Sequence, residues 1–158
     1  IVLQDTKLFT GTIKENISYG SPNATDEEIK QAAKMAYAHE FIERLPEGYN
    51  TYIKNQNMLS PGEIQLINIA RVMLTKPPIL ILDEATSNID IVTENKISNA
   101  FNKLIKNSTS FIIAHRLSTI KNADKIIFIE NGNIIEEGTH EQLLAKKGKY
   151  YSMYETGI

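Results

Sequence analysis

Apolar residues fall into two kinds of pattern along this chain. Where they recur three and four residues apart they predict helices. Where they run together between breakers they predict strands. Ile29, Ala32, Ala33 and Ala36 share one helical face behind Thr25-Asp26-Glu27-Glu28. That tetrapeptide is a capping box, with a hydroxyl at the helix start and an acid three residues on. A second short helix spans about His39–Leu45 and stops at Pro46 and Gly48. Leu66, Ile69, Ala70 and Met73 line a third, which runs from Leu59-Ser60-Pro61-Gly62-Glu63 to about Leu74 and ends at Pro77-Pro78.

Ile1–Leu3 reads as a short strand. Ile79-Leu80-Ile81-Leu82 is apolar at every position, which predicts a strand buried on both faces of a parallel sheet. A helix over Thr93–Ile105 follows, then a strand over Ser110–Ala114. Lys125–Ile129 and Ile134–Glu136 flank Asn131-Gly132, a hairpin signal. Thr139-His140-Glu141-Gln142 is a further capping box opening a short helix. Strands alternating with helices predict an α/β fold with a mostly parallel sheet, whose ligand sites lie at strand C-termini.

Composition narrows the function. The chain has 158 residues, 42% hydrophobic and 23% charged, which suits one domain with a core. A net charge of −2 without a basic stripe argues against a nucleic-acid partner. The absence of cysteine excludes disulfides and thiolate metal sites. No apolar run approaches the roughly 18–20 residues that cross a bilayer. Ile1-Val2-Leu3-Gln4 has neither a starting Met nor a basic flank, so it is no signal peptide. It reads as a strand entered midway, and the chain is expected to be a piece of something longer.

Asp83-Glu84, directly after the apolar run, is the sharpest chemical feature. The pair is either two solvated loop acids or a metal-linked hydrolytic site. Mg²⁺ takes one or two carboxylates together with phosphates and water, and a neighbouring acid can orient or deprotonate a water. Ser60-Pro61-Gly62-Glu63 is a capping box with Pro at the first helical position. Helix N-termini also bind anions, and Gly62 would let a phosphate approach. His115 at a strand end and Gln4 are unremarkable alone.

The order of these motifs resembles one family. Ile81-Leu82-Asp83-Glu84 followed by Ala85-Thr86-Ser87-Asn88-Ile89-Asp90 looks like the Walker B strand and D-loop of ATP-binding cassette (ABC) ATPases. Leu59–Glu63 with Asn68-Ile69-Ala70-Arg71 is similar to their LSGGQ signature and its helix. Ala114-His115-Arg116-Leu117-Ser118 resembles the H-loop, and Val2-Leu3-Gln4-Asp5 the Q-loop. The resemblance covers essentially the whole chain. It implies a P-loop NTPase-like α/β fold with its N-terminal part missing. A helical subdomain carrying the signature would span about residues 10–75, and the Walker B and H-loop core with the C-terminal hairpin and helix about 76–158.

The resemblance also implies roles and ligands, ATP and Mg²⁺. Asp83 would hold Mg²⁺, with Gln4 sensing the ion and the γ-phosphate. Glu84 would be the general base, and His115 would contact the γ-phosphate and position the water. Ser60 and Gly62 would contact the γ-phosphate of ATP held by a second ABC ATPase domain in a head-to-tail dimer. Asp90 would face across that dimer. Phe9–Ile17 and Asp124–Leu144 are similar to exporters with fused transmembrane domains. The implied function is a motor for export at the cytoplasmic face of a bacterial plasma membrane. A soluble ABC ATPase working on DNA or ribosomes, and a non-catalytic piece, are the alternatives.

The chain departs from the family pattern in three places, one of them Tyr52–Met58, which lacks the family's usual Gly-rich acidic pattern before the signature. The chain contains no Gly-x-x-x-x-Gly-Lys-Ser/Thr; its one Gly-Lys pair, Gly148-Lys149, precedes Tyr150. That loop cradles phosphates and supplies a Lys and an Mg²⁺-binding hydroxyl, so the chain alone is expected to be inactive. In the signature, Pro61 and Glu63 stand where the family has Gly and Gln, which predicts a weakened but working motif.

Overall fold

The helices begin where side chains can satisfy their first N–H groups. The computed structural model describes residues 1–2, 7–83, 89–106, 108–114 and 120–156. These form two compact units, Ile1–Phe111 and Ile112–Ile158.

In the first unit, β1 (Gly11–Thr12) pairs antiparallel with β2 (Tyr52–Ile53). Thr12 then caps α1 (Ile13–Ser18) in a full capping box with Glu15. Sequence patterning did not single out this box. The box at Thr25 and Glu28 opens α2 (Asp26–Met35) as predicted, and α3 (His39–Arg44) follows. Each carboxylate accepts from its threonine's N–H and hydroxyl, which holds the Glu15 and Glu28 carboxyls below their ordinary range.

Helix α4 (Pro61–Thr75) is buried over most of its girth, with Leu66, Ile67, Ile69 and Ala70 at 2% exposure or less. It ends at Lys76 in the left-handed conformation, just before Pro77-Pro78. Strand β3 (Ile79–Asp83) follows and neighbours β4 (Thr109–Ile113). Between them α5 runs over Ile91–Ile105 with Asp90 as its cap, two residues ahead of the predicted start, because the Asp90 carboxylate accepts from Thr93 N–H at 2.9 Å.

The prediction that β3 is buried on both faces is corrected. Leu80 and Leu82 are covered, but Ile79 is 61% exposed and Ile81 half-buried. An unbroken apolar run cannot distinguish one covered face from two. Val2 lies parallel to β3: its N–H donates to Ile81 O at 2.8 Å, and Asp83 N–H donates to Val2 O at 2.9 Å.

In the second unit, β5 (Ile126–Glu130) and β6 (Asn133–Gly138) form the predicted antiparallel hairpin. Asn131 (φ 50°) and Gly132 (φ 76°) make its turn, both left-handed as a two-residue hairpin requires. The predicted box at Thr139 and Gln142 opens α6 (His140–Lys146), and α7 (Lys149–Thr156) follows. Ile126, Leu143 and Tyr150 form this unit's core, and the Tyr150 hydroxyl lies 2.8 Å from His140 Nδ1.

Candidate functional site

Four of the seven singled-out residues are placed by the structure: Ser60, Gly62, Asp83 and Asp90. Gln4, Glu84 and His115 lie outside the described residues.

Asp83 is the last residue of β3 and is half-buried. Its main chain is pinned to Val2, so the carboxylate sits at a fixed point on the strand's C-terminal end. Among the described residues no cation or donor engages that carboxylate. Carboxylate oxygens are the hard ligands that Mg²⁺ takes.

Ser60 caps α4. Its Oγ accepts from Glu63 N–H at 3.3 Å, while Glu63 Oε2 accepts from both Ser60 N–H and Ser60 Oγ–H at 2.8 Å. The acid that departs from the family pattern thus turns back onto its own helix. Pro61 has no N–H, and Ile64 N–H donates to Ser60 O at 3.0 Å. Of the first-turn donors, only Gly62 N–H has no partner among the described residues. A fifteen-residue helix carries partial positive charge at this end.

Asp90 is exposed, and Thr93 donates to it from its hydroxyl and from its N–H. Those two bonds, the hydroxyl first, hold the Asp90 carboxyl below its ordinary value of 3.8. The structure brings this cap and the signature together. Gly62 is buried, and a Cβ built on it would overlap Thr93 Cγ2 and stand 3.3 Å from Ile89 Cγ2. No hydrogen bond or ion pair links Asp83 to Ser60, Gly62 or Asp90 among the described residues.

Asn16 was not singled out from sequence, yet it organises the segment that follows Gln4. It is fully buried; its Oδ1 accepts from Phe9 N–H, and its Nδ2 donates to Phe9 O and Thr12 O, all within 3.1 Å. The signal was a polar residue among the apolar positions Ile13 and Ile17 of one turn. Thr93 offered no signal, because its neighbour lies thirty-one positions away.

The ABC transporter family model matches residues 1–87, more than half of the chain. The Bacillus subtilis (strain 168) protein named "Uncharacterized ABC transporter ATP-binding protein YfiC" is 54% identical over 156 residues, covering 98% of this chain and 26% of that protein. A Staphylococcus aureus (strain N315) relative, named "Putative multidrug export ATP-binding/permease protein SA1683", is 54% identical over 155 residues, 98% of this chain and 27% of that protein. A solved bacterial Atm1-family ABC exporter with ATP bound superposes with a TM-score of 0.87 at 42% identity, over 98% of this chain and 27% of that one. The chain belongs to the ABC transporter family, and its fold is the mixed α/β, P-loop NTPase-like fold of an ABC ATP-binding domain. It spans about a quarter of the length of the relatives it matches.

Proposed function

We propose that this chain supplies part of an ATP-binding and ATP-hydrolysing motor domain that powers export of a substrate across a membrane, working at the cytoplasmic face of a bacterial plasma membrane. The observation that carries the reading is Asp83, a carboxylate free of described partners and fixed at the end of β3 directly before Glu84. Relatives named as ATP-binding/permease exporters support it.

The donor set suits Mg²⁺ and a nucleotide. Among the described residues no group of three or more His or acidic residues could hold a metal by itself. Mg²⁺ asks for less, taking one or two carboxylates and completing its shell with phosphate and water. ATP with Mg²⁺ supplies a terminal phosphoryl group that can be transferred to water. Asp83 and Gln4 would hold the ion, and Glu84 would orient and deprotonate the water. His115 meets the γ-phosphate. Ser60 and Gly62 present the N-terminus of α4 to ATP held by a second ABC ATPase domain, with Asp90 beside them at the shared interface. Closure of such a head-to-tail pair drives the transmembrane domains, and hydrolysis resets them.

The 158 residues alone contain no phosphate-cradling loop, so by themselves they bind ATP weakly and do not hydrolyse it. Micromolar affinity for Mg-ATP in calorimetric titration of this chain would refute that. The motor reading is tested in the full-length polypeptide. Glu84→Gln should keep ATP binding and lower turnover by about 100-fold or more; turnover within threefold of wild type would sink it.

A further inference from the structure

Gly62 is usable as a test of what shapes the start of α4. Its φ is not in the left-handed region, so the backbone there does not require glycine. What excludes a side chain is a neighbour. A Cβ at this position would overlap Thr93 Cγ2 and would stand 3.3 Å from both Thr93 Cβ and Ile89 Cγ2. Thr93 cannot easily retreat. It is β-branched and stiff about χ1, and both its hydroxyl and its N–H are committed to the Asp90 carboxylate. The cap of α5 therefore sets the rotamer of Thr93, and that rotamer aims a methyl group at Gly62.

We propose that Thr93 is a positioning residue whose Cγ2 methyl seats Gly62 and so holds Ser60–Gly62 and Asp90 as one rigid group. The functional half of this inference rests on the motor reading above, in which the first turn of α4 meets the nucleotide and Asp90 lies beside it at the shared interface. The packing half stands without it. Glycine at position 62 is then needed for the fit between α4 and α5, in addition to any approach of a ligand.

The test is a rescue. Gly62→Ala, Gly62→Ala/Thr93→Ser and Gly62→Ala/Thr93→Val are compared by thermal unfolding of this chain. Ser removes the offending methyl and keeps the hydroxyl; Val keeps that methyl and removes the hydroxyl. Gly62→Ala should lower Tm by about 5 °C. Adding Thr93→Ser should restore at least half of that loss, and adding Thr93→Val should restore none. No rescue by Ser, or equal rescue by Val, overturns the seat. In the full-length polypeptide Gly62→Ala should lower kcat for ATP by about tenfold at unchanged KM, and Thr93→Ser should restore it. Thermal rescue without recovery of kcat overturns the positioning role. A wild-type polypeptide that turns over no ATP instead overturns the motor reading, and the thermal comparison still decides the seat.

Discussion

Arg71 Nε donates to the main-chain oxygen of Asn16 at 2.7 Å, and Arg71 Nη2 donates to Asn16 Oδ1 at 3.2 Å. The two residues are fifty-five positions apart. Helix α1 has only six residues, too few to be stable alone, and the carbonyls of its last turn lack helical partners. Arg71, from α4, fills one of them. The guanidinium lies 5.5 Å from the Phe9 ring centroid and 5.9 Å from that of Tyr19, and the two rings are 5.0 Å apart. Burial pushes the Arg71 pKa down, so hydrogen bonds and aromatic faces stand in for part of its lost hydration. The segment after Gln4 and the helix that begins at Ser60 are thereby tied together.

Arg71→Ala should destabilise the first unit by about 2–3 kcal/mol, since it leaves a buried carbonyl without its charged donor. Arg71→Lys keeps the charge and loses the two-pronged geometry and the flat stacking surface, so it should fall between. Urea unfolding measures both. Equal stability of Arg71→Ala and wild type would show that the clamp contributes nothing.

Local chemistry was the part of the fold most legible in sequence. The capping boxes at Thr25, Ser60 and Thr139 and the turn at Asn131-Gly132 depend on residues within four positions of one another, and the structure forms each of them. The apolar run at Ile79–Leu82 was readable as a strand, but its covered faces were not, since covering is a property of distant chain. The same limit applies at the candidate site. Asp83 and Ser60 stood out because a strand end and a helix start are local events. Thr93 and Arg71 matter through Gly62 and Asn16, and no periodicity reports a contact across thirty or more residues.

Stability should decline in acid through exposed carboxylates. Glu15 and Glu28 are held below their ordinary 4.5 by the threonine N–H groups they accept from, and then by the hydroxyls. Hydrogen bonds from Thr93 lower Asp90 below its ordinary 3.8, and those from Lys14 and Lys125 lower Asp26 and Glu137. A lowered folded-state pKa means that the unfolded chain binds protons first as pH falls. The stabilisation is complete above about pH 5, declines below that, and is gone once pH has passed the depressed values. Tm measured from pH 6 to pH 2.5 should stay level to about pH 5 and then drop, with a smaller drop in Glu28→Gln. A Tm that rises below pH 4 would contradict this.

In the second unit, the Glu136 carboxylate of β6 accepts from Lys149 N–H at 2.6 Å and from Tyr150 N–H at 3.2 Å. It caps α7 from a different element. Glu136→Ala should cost about 1–2 kcal/mol and release the amides of Lys149 and Tyr150, the latter in this unit's core, to faster hydrogen exchange. Unchanged exchange at both amides would mean that solvent replaces the cap without cost.

The altered signature makes the most direct functional prediction. Ser60 Oγ–H is committed to Glu63 Oε2, Pro61 supplies no donor, and Glu63 carries a negative charge in the first turn of a helix whose dipole favours anions there. A phosphate arriving at this end meets one N–H without a partner among the described residues, that of Gly62, and a nearby carboxylate. Glu63→Gln keeps a side-chain oxygen that can complete the capping box. It also removes the charge and weakens the hold on the Ser60 hydroxyl, since charge-assisted bonds are about twice as strong as neutral ones. Pro61→Gly adds an N–H but loses a residue pre-set for the first helical position, at about 0.4–1 kcal/mol of stability. The double variant in the full-length polypeptide should therefore melt a few degrees lower and hydrolyse ATP about two- to fivefold faster. Glu63→Gln alone should give the larger share of the gain. A rate equal to or below wild type would mean that the capping box opens freely when nucleotide arrives, and that neither substitution limits the site.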